Sequence, residues 1–168
     1  MKRNTSINDI LKPLGGKPYQ AYLSNVLQVA DVLEWVLEQV GTAEVWQTSF
    51  SISEEFLRRL FFIEKSGRVK RFNLVLDHKA TNKTLKLWAF ITQVIERTYL
   101  ADNHSKILLV RSDAGDTVSV VTSQNLTRGK PRFPPLAIQR NDFGDIPDGE
   151  ETQGHKDNGE SSLKLCEV

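Results

Sequence analysis

The sequence predicts an α/β fold in which a mixed β-sheet is flanked by helices. Apolar residues recur both at helical spacing and in short β-rich runs, and these two patterns alternate along the first part of the chain. Such alternation favours parallel strands that are joined by crossover helices. Two further apolar runs, separated by a short turn, add an antiparallel hairpin. The length of 168 residues suits one domain of this architecture.

The first three predicted elements have recognisable end signals. Apolar residues at helical spacing predict a helix over 19–40, and Gly41 ends it. Alternating β-branched and aromatic residues predict a strand over 44–51. Ser53, followed directly by two glutamates, is a suitable N-cap for a helix over 53–66.

The later elements follow from the same patterns. An apolar run predicts a strand over 69–76, and apolar residues three to four positions apart predict a helix over 81–97. The runs over 107–110 and 118–121 flank an Asp-Ala-Gly-Asp turn and therefore predict a hairpin. A stretch rich in Gly and Pro then precedes one short predicted strand over 136–138.

Composition divides the chain into three parts. Residues 1–17 are expected to form a flexible lead-in, residues 18–141 the folded domain, and residues 142–168 an acidic disordered tail. Between Arg58 and Lys86, nine basic side chains stand against two acidic ones, whereas the tail carries eight acidic and two basic side chains. A basic body with an acidic end is typical of a protein that faces a polyanion.

The composition also excludes several classes of protein. A lone cysteine, Cys166, rules out a disulfide framework and multi-cysteine zinc sites, and three histidines leave little for an all-histidine metal centre. No apolar run approaches the roughly 18 residues that a membrane span needs, so we expect no membrane insertion. The basic first residues are not followed by the apolar stretch of a signal peptide, so we expect a cytoplasmic protein.

Polar side chains flank the predicted hairpin where its first strand starts and its second strand ends. His104 and Lys106 precede the first strand, and Ser123 and Asn125 follow the second. Because antiparallel pairing sets the start of one strand beside the end of the other, we expect these four residues to converge. An imidazole can attack phosphorus while an ammonium, a hydroxyl and a carboxamide bind the non-bridging oxygens. The sequence therefore predicts a site for phosphodiester chemistry.

The order His-x-Lys, apolar strand, turn, second strand and Ser-x-Asn resembles the phospholipase D superfamily, in particular its short nuclease-like members that carry a single motif. The resemblance implies a phospholipase D-like fold and a metal-independent phosphodiesterase, a nuclease acting on DNA or RNA without a cofactor. It makes His104 the nucleophile that forms a phosphohistidine. It also makes Lys106 and Asn125 ligands of the phosphate oxygens, with a further hydrogen bond from Ser123.

A single copy of the motif implies an assembly. The family uses two histidines, one to attack and one to protonate the leaving oxygen, and this chain carries one motif. The resemblance therefore implies a homodimer in which His104 of each subunit faces a shared cleft. The basic segment favours nucleic acid over lipid as the substrate, and Arg128 and Lys130 are candidates for contacts with its backbone.

Two other functions stay open at this point. Arg111 stands where the family usually has an aspartate, and no carboxylate follows Asn125 before Asp142. These departures indicate, as one alternative, a catalytically degenerate relative that binds nucleic acid or a partner protein. The other alternative is a metal-dependent nuclease, since Asp77 and Lys79 form a short match to the Asp-x-Lys signature of such enzymes.

Overall fold

A seven-stranded sheet forms the centre of the protein. The computed structural model describes residues 6–23, 26–79, 81–95, 97–126 and 135–141, with the backbone alone over 81–85. The elements in chain order are α1 (Ile7–Ile10), β1 (Tyr19–Leu23), α2 (Val29–Val40), β2 (Ala43–Ser49), α3 (Glu54–Lys65), β3 (Val69–Asp77), α4 (Thr81–Val94), β4 (Arg97–Ala101), β5 (Ile107–Ser112), β6 (Thr117–Thr122) and β7 (Pro135–Asn141).

The strand order across the sheet is β1-β7-β6-β5-β2-β3-β4. Strands β2, β3 and β4 are parallel neighbours, and α3 and α4 connect them as crossovers. All other neighbouring pairs are antiparallel, including the hairpin of β5 and β6. The turn of this hairpin has Gly115 at a φ of 98°, a backbone conformation that side chains disfavour. The predicted α/β class with a mixed sheet is therefore confirmed.

The hydrophobic core lies between the helices and one face of the sheet. Strand residues such as Leu74, Leu108 and Val120 belong to the same buried cluster as the apolar faces of α2, α3 and α4. Alternation along each strand turns the intervening side chains to the opposite face. On that face, Leu109 and Val121 are exposed to 44% and 53%, and the charged side chains of Glu44 and Arg111 lie on the same face.

Two elements at the sheet edges differ from the sequence-based expectation. The predicted helix over 19–40 begins only at Val29, and Tyr19–Leu23 is instead an edge strand paired with β7. Gln20 explains why: it is 1% exposed, and its amide donates to the main-chain oxygens of Lys12 and Lys17. At the other edge, the predicted helix over 81–97 ends at Val94, and a strand that the sequence did not predict follows it.

The start of the chain is part of the folded body. Leu11 and Leu14 are 0% and 1% exposed, and both pack in the main core. The indole of Trp35 in α2 donates to Asn8 Oδ1 at 3.1 Å. Residues 6–17 are therefore not the flexible lead-in that the sequence predicted.

Several predictions fall outside the described residues. They concern the first five residues of the lead-in, the acidic tail over 142–168, and the candidate nucleic-acid contacts Arg128 and Lys130. Across the ranges that are described, none of the helices has both the length and the apolar character needed to traverse a bilayer.

Candidate active site

The carboxyl ends of β2, β3 and β4 meet at one edge of the sheet, and His104 lies at this edge. The connection from β4 to β5, residues 102–106, crosses the ends of β3 and β2 because these strands lie between the two that it joins. His104 is exposed, and the ring of Phe50 packs against its imidazole edge-on, with 4.9 Å between the ring centroids. Ligands of α/β sheets commonly bind beyond such carboxyl ends.

Lys106 is held beside His104 just before β5 begins. Its Nζ donates to the main-chain oxygen of His104 at 2.6 Å, and the residue is partly buried. This hydrogen bond ties the Lys106 ammonium to the backbone of His104. The role of Lys106 as a ligand of the phosphate stays a prediction.

The hairpin register sets the Ser-x-Asn segment at the same edge. Ile107 pairs with Val121, and the Thr122 amide donates to the Lys106 main-chain oxygen at 3.1 Å. Thr122 is therefore opposite Lys106, and strict alternation would direct Ser123 to the other face of the sheet. The chain departs from alternation here, because β6 ends at Thr122 and the backbone bends at Ser123.

The bent segment is anchored on the end of β2. The Leu126 amide donates to Ser49 Oγ at 3.1 Å, and the Leu126 main-chain oxygen accepts from the Ser53 amide at 2.8 Å. The Leu126 side chain is 1% exposed. Gln124 adds a hydrogen bond of 2.8 Å from its amide group to the main-chain oxygen of Leu27. These contacts hold the Ser-x-Asn segment against the amino ends of both α2 and α3.

Asn125 faces a small cavity that it shares with Ser53 and Arg59. Its Oδ1 is buried and has no hydrogen-bond partner within the described part of the chain. The Arg59 guanidinium donates to Asp31 at 2.7 Å and to Glu34 at 2.8 Å. Burial lowers the pKa of Arg59, but the two carboxylates outweigh burial and raise it above its usual range. The charge of Arg59 is thus already compensated by acidic partners.

The four predicted site residues lie at the same edge of the sheet, where they form two separate pairs. The Lys106 side chain is bonded to the His104 main chain, whereas no side-chain hydrogen bond among the described residues connects either of them to Ser123 or Asn125. Ser123 instead lines a largely apolar hollow together with Leu23. A bound phosphate that contacts both pairs of residues would therefore be the link between them.

Arg111 lies away from this edge, although it stands at the position where the family usually has an aspartate. It pairs with Glu44 near the opposite end of β2, where its guanidinium donates to Oε2 at 2.9 Å. The same guanidinium lies 5.3 Å from the ring centroid of Trp46. The arginine at this position therefore adds no positive charge beside His104.

Asp77 and Lys79 both have polar partners within the protein. Asp77 is 4% exposed, and its two oxygens accept from the Lys79 amide at 2.6 Å and the Asn103 amide at 3.1 Å. The Lys79 ammonium donates to Asp102 at 3.1 Å, and this hydrogen bond lowers the pKa of the Asp102 carboxyl. Within the described ranges, no three His, Cys, Asp or Glu side chains are grouped as metal ligands.

Sequence reasoning missed the residues that support the site. Phe50, Thr48 and Asn103 contact His104 or its neighbours, yet none belongs to the motif. The available signal was a run of small polar residues, interrupted by Phe50 and Ile52, which begins at Thr48 near the end of a predicted strand. Such a run at the carboxyl edge of a sheet indicates a ligand site.

Together, the fold and this polar edge define an α/β protein with a candidate ligand site at the carboxyl ends of its parallel strands. Nuc from Salmonella typhimurium, a phospholipase D family member, has a similar structure: the TM-score is 0.56 at 15% identity, over 74% of this chain and 83% of that one. The chain therefore has the phospholipase D fold, as the motif predicted.

Two further solved structures are similar, although this chain spans less than a third of either. Polyphosphate kinase from Porphyromonas gingivalis gives a TM-score of 0.58 at 14% identity, over 82% of this chain and 26% of that one. Yeast tyrosyl-DNA phosphodiesterase gives a TM-score of 0.45 at 14% identity, over 73% of this chain and 31% of that one. No protein-family model matches the sequence, and no curated protein matches it either.

Proposed function

We propose that this protein is a metal-independent phosphodiesterase of phospholipase D type, which cleaves DNA or RNA through a phosphohistidine at His104. The observation that carries the proposal is the exposed imidazole of His104 at the carboxyl edge, with the Lys106 ammonium bonded to the main-chain oxygen of the same residue. The fold of Nuc supports the same class of chemistry. The fold alone does not identify the reaction, because a polyphosphate kinase shares it, so the site has to carry the argument.

Each side chain has one role in the proposed reaction. A nitrogen of His104 attacks phosphorus, a nitrogen–phosphorus bond forms, and the bond from phosphorus to the leaving nucleotide oxygen breaks. Lys106 and Asn125 bind the non-bridging oxygens on which charge develops, and Ser123 donates a further hydrogen bond. Water then attacks phosphorus, the bond to nitrogen breaks, and a phosphate monoester leaves.

The leaving oxygen needs a proton, and a second copy of the chain supplies it in this proposal. A monomer offers one copy of the motif, whereas a symmetric dimer offers two across its axis. His104 of the partner subunit protonates the leaving oxygen and then removes a proton from the attacking water. The acid and the base are therefore one group used twice.

Substitution of His104 tests the proposal. We expect His104→Ala to lower the cleavage rate of labelled single- and double-stranded DNA and RNA at least about a thousand-fold, because the nucleophile is gone. Cleavage by the unmodified protein should persist in EDTA. His78→Ala is the matched control, since it removes another histidine at the same edge and should retain the activity.

The two alternatives give different results in the same assay. Nucleic-acid binding by the unmodified protein without any cleavage would identify a degenerate binding relative. Cleavage that EDTA abolishes and that survives His104→Ala would identify a metal-dependent enzyme. Either result would overturn the phosphohistidine mechanism.

A further inference from the structure

The backbone on both sides of His104 is tied to the strands that it crosses. On one side, the Asn103 amide donates to Asp77 Oδ2 at the end of β3. On the other side, Ser105 Oγ lies 2.8 Å from Thr48 Oγ1 at the end of β2. His104 therefore stands between two anchors, one on each of the central parallel strands.

A directed chain of hydrogen bonds connects these anchors. The Ile107 amide donates to Thr48 Oγ1 at 2.9 Å, so the Thr48 hydroxyl proton is free to donate to Ser105 Oγ. The Ser105 hydroxyl in turn donates to Asn103 Oδ1 at 2.5 Å, and the Ser105 amide donates to the same oxygen at 3.1 Å. Because every donor points the same way, each bond polarises and strengthens the next.

Asp77 ends this network in a buried position. One of its oxygens accepts from the Lys79 amide and the other from the Asn103 amide. The carboxylate therefore connects the segment that follows β3 with the segment that follows β4. The His78 amide adds a bond of 3.0 Å to the Ala101 main-chain oxygen across the same two strands. Asp77 is the charged side chain of this group, and it is 4% exposed.

Stability alone does not account for Asn103. Its Oδ1 is fully used, but its Nδ2 is buried and has no hydrogen-bond partner within the described part of the chain. Burying an unpaired donor costs free energy of folding. The carboxamide oxygen of Asn103 has a role that offsets this cost, because it binds the amide and the hydroxyl of Ser105, the residue after His104.

We infer that Asp77 and Asn103 are positioning residues for His104, which fix the backbone from which the imidazole reaches the phosphate. This inference rests on the proposed function of His104. An attacking atom has to lie within a fraction of an ångström of its productive position, and a misplacement of about 1 Å can cost about a hundred-fold in rate. The short Asp-x-Lys match thus belongs to the support of the histidine site rather than to a metal site.

Asp77→Asn tests the inference with little change in volume. The amide group keeps one acceptor and turns the other into a donor, which meets an amide N–H and breaks one anchor. We expect kcat to fall about a hundred-fold while KM changes less than about two-fold, because the substrate-binding groups remain. Hydrogen exchange of the Asn103 and Ser105 amides should accelerate, while that of core amides such as Leu108 should not.

Asp102→Asn is the matched control. It removes the exposed ion pair with Lys79 but leaves both anchors of the connection in place, so kcat and amide exchange should stay as in the unmodified protein. If Asp77→Asn does not fold, Ser105→Ala takes its place: it interrupts the directed chain at one hydroxyl and should lower kcat about ten-fold.

The outcomes separate the inference from the function on which it rests. Normal kcat and normal exchange in Asp77→Asn, or in Ser105→Ala if that variant is used, would overturn the positioning role while the phosphodiesterase stands. An unmodified protein that cleaves no phosphodiester would overturn the function, and with it the catalytic meaning of the anchors. Faster exchange with an unchanged kcat would also reject the inference, because the anchors would then be structural only.

Discussion

The Glu44 carboxylate on β2 forms ion pairs with arginines on both neighbouring strands. It accepts from Arg111 on β5 at 2.9 Å and from Arg71 on β3 at 3.1 Å, while Glu44 itself lies on β2 between them. Burial raises the pKa of Glu44, but hydrogen bonds from Arg71, Arg111 and Asn73 outweigh burial and lower the pKa below its ordinary value of 4.5. The charged form is therefore favoured in the folded state.

This pKa predicts how stability depends on pH. A carboxyl whose pKa is lower in the folded state stabilises the fold above its unfolded pKa, and the contribution is lost as the pH falls through the folded value. We expect Glu44→Gln to lower the free energy of unfolding at pH 7 by about 1–2 kcal/mol. The further loss on acidification below about pH 4.5 should be smaller in the variant. Urea titrations at several pH values measure both.

Glu54→Gln is the control for this prediction. Glu54 pairs with Arg58 one turn along α3, and both side chains are more than half exposed. Such pairs contribute little, so the free energy of unfolding should change by less than about 0.5 kcal/mol. An equal effect of the two substitutions would mean that the pairing of Glu44 with Arg71 and Arg111 contributes no more to stability than an exposed ion pair.

At the scale of elements, the segment after β6 depends on Leu126. Its side chain is 1% exposed, and its backbone bonds to Ser49 at the end of β2 and to Ser53 at the start of α3. Together with the hydrogen bond from Gln124 to Leu27, these contacts support the bend at Ser123 beyond the end of β6. Leu126 therefore helps to position its neighbour Asn125.

Leu126→Ala separates stability from placement. We expect it to lower the free energy of unfolding by about 2–4 kcal/mol, as large-to-small changes in cores do, and to weaken substrate binding through Asn125. Leu14→Ala is the matched control, since Leu14 is equally buried but lies near the start of the chain. It should destabilise by a similar amount and leave KM unchanged; an equal rise of KM in both variants would contradict the specific role of Leu126.

The hairpin of β5 and β6 was predictable from the sequence because both apolar runs and the glycine turn are local signals. Strand β1 was not, because Tyr22 continues the helical spacing of the residues that follow it, and the burial of Gln20 depends on partners elsewhere in the fold. Strand β4 lies at the sheet edge with mostly half-buried residues, so it has no strong pattern. Elements at edges are specified by tertiary pairing more than by composition.

The candidate site was predictable to a similar extent. His104 and Lys106 are neighbours because they lie two positions apart, and the Lys106 ammonium bonds to the His104 main-chain oxygen. The placement of Asn125 depends on contacts of Leu126 with residues some 77 positions earlier, which no local pattern encodes. Asp77 was noticed, but only tertiary structure relates it to Asn103.

For the whole molecule, the proposed mechanism requires two chains per site. We expect light scattering to give twice the chain mass of 19.0 kDa. Co-refolding equal amounts of unmodified and His104→Ala chains tests whether the histidines act together. Random pairing leaves about a quarter of the dimers with two histidines, so activity per total chain should fall to about a quarter. A fall to one half would mean that each subunit works alone.

The connection that carries His104 is short for the distance it covers. Six peptide steps lead from Ala101 to Ile107 across three strand spacings, so a reach of about 20 Å spans a gap of about 14 Å. Deleting two residues there would leave almost no slack and pull the imidazole toward the sheet, whereas deleting one would leave a margin of about 3 Å. If this motif is transferred to another scaffold, the number of residues in the connection from β4 to β5 should therefore be kept constant.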